Sequence, residues 1–332
     1  MSSGWKQRRE GGGWFAIWLI RSIGRYGGRA LARLCLYPIT LYFLLRRGAE
    51  RRDSRAALSR LLGRPATLAD VARHIHTFAA TILDRVFLLG GELDRFDIRV
   101  QGLDGLHAQL DQGRGVLLFG SHLGSFEVLR VVARKRPDYR IRVVLDKAHN
   151  PAMTQLLDAL SPDIAAGVID ASQDGPSLML AIKQAADERA LVALLVDRVQ
   201  PGAQSQPAAF FGAPAQFPVA PWLVASVLKV PVSLAFGLYR GGNRYDLLFE
   251  SFDDAGIDLP RPQRAARLSA LIQRYAARLE HHARHAPYNW FNFYDFWNAH
   301  EQAPPAPGTA AGAAVDAAAG GGRGGLGRAA GG

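Results

Sequence analysis

His122 and Glu127 stand five residues apart in the stretch Gly120-Ser121-His122-Leu123-Gly124-Ser125-Phe126-Glu127. An imidazole beside a carboxylate makes a base with an orienting partner. The carboxylate fixes the tautomer and raises the basicity of the nitrogen left free. No serine or cysteine nucleophile is built into this pair, so the chemistry it suggests is proton removal from a substrate hydroxyl or amine. The same spacing has a structural reading, a turn histidine followed by a glutamate in the first turn of a helix, where the dipole favours an acid. A serine hydrolase is the competing chemistry. Gly120-Ser121-His122-Leu123-Gly124 superficially resembles a G-x-S-x-G elbow, but the first glycine adjoins the serine instead of preceding it by two.

The element that must deliver His122 is Val116 to Gly120, a continuously apolar run between glycines. It reads as a strand buried on both faces, ending at the carboxyl edge where open α/β sheets bind ligands. Ser125 is the expected cap of a helix reaching Lys135, which carries Arg130. Strand Ile141 to Leu145 leads to Lys147, His149 and Asn150. Lys147 could hold a phosphate or an acyl carbonyl oxygen, or be a solvated loop lysine. Helix Pro151 to Leu160, strand Gly167 to Asp170, helix Ser177 to Ala186 and the apolar strand Leu191 to Val196 follow. The last ends at Asp197-Arg198, where an acid is either functional or a loop cap. This alternation predicts an α/β fold with a mostly parallel central sheet and helices on both faces.

Further along, Val199 to Pro221 lacks a regular period and reads as a long loop of functional type. Its Phe210, Phe211 and Phe217 would pack on the core or shape an acyl-chain groove. Val232 to Tyr239 and Tyr245 to Phe249 read as a hairpin, followed by helix Gln263 to His285. His281 and His285 have metal-type i, i+4 spacing but no third ligand, and His74 and His76 lie on different faces of a helix, so no metal site is expected. In the helical region from Arg51 to Gly91, Thr67 with Asp70 resembles a capping box, and Asp84 and Arg85 either line a site or pair at the surface.

Charge is concentrated at the N-terminus. Of a formal net charge of +11 in 332 residues, positions 1–60 hold thirteen Lys/Arg against three acids, a balance of +10. Arg21, Arg25, Arg29 and Arg33 recur every four residues, and Trp14, Phe15, Trp18, Leu19 and Tyr26 accompany them. The uncharged stretch Leu34 to Leu45 is interrupted by Pro38. It falls short of the roughly 20 residues a bilayer crossing requires, unless Arg29 and Arg33 snorkel. An in-plane or partly inserted anchor on anionic lipid accounts for the charge, the aromatics and the apolar run together. Nucleic-acid binding leaves the apolar run unexplained, and the arginines that interrupt the N-terminal segment before it, with no small-residue cleavage site following, argue against a cleavable signal peptide. One cysteine, Cys35, leaves no disulfide within the chain. The reading divides the chain into a basic anchoring segment (1–50), a catalytic domain (51–302) and a disordered Ala/Gly/Pro-rich tail (303–332).

The ordered blocks of this sequence resemble a known family. Ser121-His122-Leu123-Gly124-Ser125-Phe126-Glu127 is similar to the H-x4-D/E signature of the lysophospholipid acyltransferase superfamily. The glutamate form resembles the branch of the lipid A late acyltransferases, the lauroyl and myristoyl transferases. Asn150-Pro151, then Asp197-Arg198 with Phe210-Phe211-Gly212-Ala213-Pro214-Ala215, then the aromatic segment Tyr288 to Trp297 follow in that branch's order. Two departures, Asp146-Lys147 where an arginine is usual and the closing Trp-Phe-Asn-Phe-Tyr-Asp-Phe-Trp, look more like stand-alone relatives associated with aryl polyene pigments. The resemblance implies an acyltransferase with His122 as general base and Glu127 as its orienting acid. Together with the strand-end readings above, it gives Lys147, Asn150, Asp197, Arg198 and Arg130 as candidate substrate-binding residues, and the chemistry calls for no cofactor. The implied partners are an acyl carrier protein or acyl-CoA as donor, a lipid acceptor and an anionic membrane surface, with no nucleic acid. The implied location is the cytoplasmic face of a Gram-negative inner membrane. A non-catalytic membrane-docking protein is the third class considered.

Overall fold

A computed structural model describes residues 14–129, 131–132 and 139–298, the side chains of 14–27 excepted. Arg130, Lys135, the side chains of Trp14, Phe15, Trp18, Leu19, Arg21, Arg25 and Tyr26, and the expected tail 303–332 therefore lie outside what is described. The described strands are β1 (Asp97–Gln101), β2 (Val116–Gly120), β3 (Ile141–Leu145), β4 (Val168–Asp170), β5 (Leu191–Leu195), β6 (Ser205–Phe210), β7 (Ala213–Pro218), β8 (Val232–Gly241) and β9 (Arg244–Asp253). Seven of them form one sheet in the order β1-β9-β8-β2-β5-β3-β4. Every pairing in it is parallel except β8 with β9.

Principal helices flank the sheet: α1 (Trp14–Arg46), α2 (Gly48–Leu62), α3 (Leu68–Leu89), α4 (Leu103–Asp111), α5 (Pro151–Leu160), α6 (Gly175–Asp187), α7 (Ala220–Leu228) and α8 (Arg264–His285). The two-residue period of a strand explains the layering. From β2, Leu117 and Phe119 enter one core with Trp222, Ile272 and Tyr275 of α7 and α8. Val116 and Leu118 enter the opposite core with Leu83 and Phe87 of α3 and Leu106 of α4. Every residue of β2 is thus buried, as its unbroken apolar run requires.

Three local expectations are corrected. Val199 to Pro221 is not a loop: β6 and β7 pair antiparallel from Ser205↔Pro218 to Phe210↔Ala213. The connecting Phe211 and Gly212 both have positive φ, 51° and 75°, the geometry of a two-residue turn whose twist suits a hairpin. A phenylalanine in that position hides the usual Asn-Gly or Gly-Gly signal. The helix expected from Ser125 does not begin there: Glu127–Leu129 is a single 3-10 turn, and within the expected range helix is described only at residues 131–132. The Ser125 amide instead donates to Gly237 O on β8 at 2.7 Å, and Ser125 Oγ serves Glu127 rather than capping. Gly124 (φ 82°) passes so close to β8 that a Cβ would lie 2.0 Å from Gly237 O, so the chain is tied to the sheet where a helix was expected.

Asp84 is the third correction. It is fully buried, not paired at the surface. Arg29 grips it bidentately, Nε to Oδ1 at 2.7 Å and Nη2 to Oδ2 at 2.8 Å, and Tyr245 Oη donates to Oδ2 at 2.9 Å. Arg33 donates to Tyr239 Oη and Gly242 O. Neither arginine snorkels; both fasten α1 to α3 and to the β8–β9 turn. A kink at Gly28 (φ 72°, ψ 170°) precedes them, and Pro38 is accommodated without ending the helix. On the other side of the same helix Leu31, Leu34, Tyr37, Leu41, Tyr42 and Leu45 are exposed at spacings of one, three or four, a continuous apolar stripe. By length and composition Gly28–Arg46 is the one described helix apolar enough to cross a membrane.

Asp84→Ala leaves Arg29 without its carboxylate at a site where the guanidinium is only 14% exposed. Removing one partner of such a pair costs about 3–5 kcal/mol, so the denaturant midpoint is expected to fall sharply, read by circular dichroism in mild detergent.

Candidate functional site

Strand register builds the site. In the parallel pair β2–β5, Gly120 sits opposite Leu195. His122 and Asp197 each lie two residues beyond that last pair, so the two strands overshoot the sheet edge equally and bring the side chains together. His122 Nδ1 and Asp197 Oδ1 are 2.8 Å apart, and the His122 amide donates to Asp197 Oδ2 at 3.0 Å. A carboxylate only accepts, so Nδ1 carries the proton and Nε2 is left with its lone pair. Asp197 has no exposed surface, whereas the His122 side chain keeps 30% of its own; the open edge of the ring is therefore the edge facing away from Asp197.

Burial, then the charge of Arg198, push the His122 pKa down; Asp197 opposes them, and Arg85 adds to the depression. Burial disfavours the Asp197 carboxylate, but the charge and hydrogen bonds of His122, together with Arg198, hold its pKa below the usual value. At neutral pH the site contains an ionised Asp197 and a neutral imidazole, the protonation state of a general base.

Glu127 does not hold His122. Its Oε1 lies 2.5 Å from Arg85 Nε and its Oε2 accepts from Ser125 Oγ at 2.7 Å. The 3-10 turn, in place of the expected first helical turn, carries the carboxylate toward α3 rather than toward the ring. The acid that orients the imidazole is Asp197, read from the sequence as a strand-end acid and counted among the substrate-binding residues; both its oxygens are instead taken by His122. Finding it required knowing that β5 is the neighbour of β2. Arg85, treated as a surface residue in one of its two readings, lines the site.

The aromatic segment after α8 straps the turn that carries His122. Phe291 N donates to His122 O at 3.0 Å, Gly124 N to Asn289 O at 2.8 Å, and Leu123 forms an antiparallel bridge with Trp290. Arg198 Nη2 donates to Phe291 O at 2.6 Å and its guanidinium lies 5.4 Å from the Tyr294 ring centre. Asn289 clamps Tyr239 of β8 through both side-chain atoms. Phe210 and Phe217 are in the core beneath this strap, with Phe210 against Trp290, Phe296 and Trp297.

Lys147 and Asn150 stand apart from the pair, at the end of β3, with β5 between β3 and β2. The Lys147 amide donates to Asp170 Oδ1 at 3.2 Å and Asn150 Nδ2 to Asp146 O at 2.9 Å. Both side chains are partly exposed at the same carboxyl edge. Arg130 lies outside the described residues. Ser121 is buried, and no hydrogen bond joins its hydroxyl to His122 among the described residues. His285 Nδ1 approaches His281 O at 2.7 Å on α8, and no group of three or more metal-capable side chains occurs among the described residues.

The fold and the site define the class: an α/β protein carrying a carboxylate-held imidazole at the carboxyl edge of its sheet. Residues 9–298 match the family model described as bacterial lipid A biosynthesis acyltransferase, and the chain belongs to that family. It is accordingly an acyltransferase of lipid biosynthesis, which acts on an acyl donor and a lipid acceptor. No curated protein matches the chain.

His74 of α3 supports the strap from below. It is buried, with Nδ1 2.7 Å from Ser54 Oγ and Nε2 3.0 Å from Trp290 O. A carbonyl only accepts, so Nε2 carries the proton and Nδ1 accepts from the serine. Burial pushes the His74 pKa down to about 4. The folded protein therefore resists a proton that the unfolded chain takes up at its ordinary pKa near 6.5. Stability falls as pH drops through that window, by about 3 kcal/mol if His74 alone is counted. Urea unfolding at pH 7 and pH 4.5 is expected to show most of this loss, and His74→Gln to remove a large part of the difference.

Proposed function

We propose that the protein transfers a fatty or polyene acyl group from a thioester, on an acyl carrier protein or coenzyme A, to a hydroxyl or amine of a lipid. His122 takes the acceptor's proton at Nε2, the acceptor attacks the thioester carbonyl, and the imidazolium returns the proton to the departing thiol. Asp197 holds the ring and stabilises the cation formed on it. The observation that carries this reading is the 2.8 Å contact from a fully buried carboxylate to Nδ1 of a partly open imidazole. Arg198, beside the ring and under Tyr294, is suited to an anionic part of a substrate. Lys147 and Asn150, with Arg130, are further substrate-binding residues of the same edge. The chemistry requires no cofactor.

The exposed stripe from Leu31 to Leu45, closed by Arg46 and Arg47, supports docking on an anionic bilayer with the helix in the plane of the surface. Arg29 and Arg33, committed to Asp84, tie that face rigidly to the catalytic sheet. The cytoplasmic face of an inner membrane is where thioester donors and lipid acceptors meet. Asp146-Lys147 and the closing Trp290 to Trp297 segment favour a stand-alone, pigment-associated relative over a lipid A enzyme proper.

Mass spectrometry of lipid extracts from cells with and without the protein tests the reaction; an added mass of one acyl unit is expected, and it disappears with His122→Ala. In a thiol-release assay with palmitoyl-CoA or a palmitoylated carrier protein and bacterial lipid vesicles, His122→Ala and Asp197→Asn are expected to lose roughly 10²–10⁴-fold in kcat. Ser121→Ala is expected to keep most of it. A dead Ser121→Ala beside an active His122→Ala means a serine hydrolase instead. For the wild type, kcat/KM should decline with an acid limb below pH 6.5, the direction in which burial and Arg198 move the imidazole. Replacing Leu34, Leu41 and Leu45 by glutamine should abolish flotation with anionic vesicles, since each leucine is more than half exposed.

A further inference from the structure

Arg85 has no part in holding the imidazole, yet considerable structure is spent on fixing it. Glu127 is buried and both its oxygens are committed, Oε1 to Arg85 Nε at 2.5 Å and Oε2 to Ser125 Oγ at 2.7 Å. Burying a carboxylate costs several kcal/mol unless it is paired and hydrogen-bonded, and an ordinary surface ion pair needs no such arrangement. The guanidinium approaches Glu127 closest through Nε, as an ion pair without a hydrogen bond, which leaves the two terminal nitrogens uncommitted to the carboxylate. Nη1 lies 3.7 Å from Met153 Sδ in the first turn of α5, and Nη2 makes no hydrogen bond among the described residues. The side chain is 29% exposed. Arg85 thus stands between the His122 turn and the start of α5, on the carboxyl edge of the sheet. Its charge reaches His122.

Acyl transfer needs a second group besides the base. When the acceptor attacks the thioester, negative charge collects on the carbonyl oxygen, and a fixed donor that needs no reorganisation stabilises it best. Lys147, the residue whose type first suggests this role, is at the end of β3, two strands from β2. Arg85 is ion-paired with Glu127, five residues past the base.

We propose that Arg85, oriented by Glu127, binds the carbonyl oxygen of the acyl thioester and stabilises the oxyanion. In this scheme the acceptor's proton passes to His122 as the new bond to the carbonyl carbon forms, and the developing charge rests against Nη2 of Arg85. The carbonyl then re-forms, the C–S bond breaks, and the thiolate takes the proton from the imidazolium. Glu127 is a positioning residue for the arginine, and Asp197 for the histidine. This assignment rests on the general-base reading of His122.

The test uses the full-length protein in the thiol-release assay with palmitoyl-CoA or palmitoylated carrier protein and lipid vesicles. Arg85→Ala is expected to lower kcat about 10²–10³-fold with little change in KM, and to move the acid limb of kcat/KM to higher pH. Arg85→Lys should recover part of the rate. Exchanging the pair, Arg85→Glu with Glu127→Arg, should preserve the thermal unfolding midpoint but not turnover. An exchanged pair that turns over like wild type makes the contact purely structural and overturns the assignment. So does an Arg85→Ala variant that raises KM at unchanged kcat, which would mean the arginine holds an anionic headgroup. His122→Ala in the same assay separates the two levels. Its retention of activity defeats the general-base reading, while its loss beside an active exchanged pair defeats only the role given to Arg85.

Discussion

A carboxylate without access to water must be satisfied by the protein, and the Asp197 side chain has no exposed surface. Its oxygens are taken by the ring and the backbone amide of the same residue, His122. That double contact fixes the turn as well as the imidazole. A displaced His122 would leave a buried anion without donors, at a cost of several kcal/mol. The need to keep Asp197 paired therefore holds the imidazole in one orientation. The register of β2 against β5 makes this possible, because equal overshoot of two parallel strands brings the two side chains together without a long loop.

Around this pair the protein uses its C-terminal segment as a wall. Trp290, Phe291 and Asn289 bond to the backbone at His122, Leu123 and Gly124, and His74 of α3 donates to Trp290 O. Large aromatic side chains bury much apolar surface, so they fasten the strap more firmly than the hydrogen bonds alone. Gly124 and Gly237 permit the close approach this arrangement needs, since a Cβ on either would lie 2.0 Å from a backbone oxygen. Residues that follow α8, more than 160 positions beyond His122 in sequence, are thus part of the site in space.

Adjacent positions on α3 serve two regions of the molecule. Asp84 binds the arginines of α1, and Arg85 pairs with Glu127 near His122. The apolar stripe of α1 consequently has a defined relation to the carboxyl edge of the sheet. A helix whose arginines are committed inward cannot turn them toward lipid headgroups, so the snorkelling that a bilayer crossing would have required does not occur.

Hydrophobic pattern alone determined much of the fold. The run Val116 to Gly120 suited a strand buried on both faces, although its period alone did not exclude a buried helix; the alternation of apolar strands and amphipathic helices implied a parallel sheet, and Gly241-Gly242-Asn243 marked the β8–β9 hairpin. These features are local, set by side-chain period and turn chemistry within a few residues. His122 was legible for the same reason, as a histidine at the end of a buried strand. Its partner was not. Glu127 is near in sequence, but the backbone of Gly124 and Ser125 pairs with β8 and directs that glutamate to Arg85, while Asp197, 75 residues away, reaches the ring through strand adjacency. The buried state of Asp84, the use of Arg29 and Arg33, and the hairpin turned by Phe211-Gly212 were likewise decided by tertiary contacts. Sequence spacing reports which side chains share an element; which elements are neighbours, and so which charges must neutralise each other away from water, is settled only when the sheet is assembled.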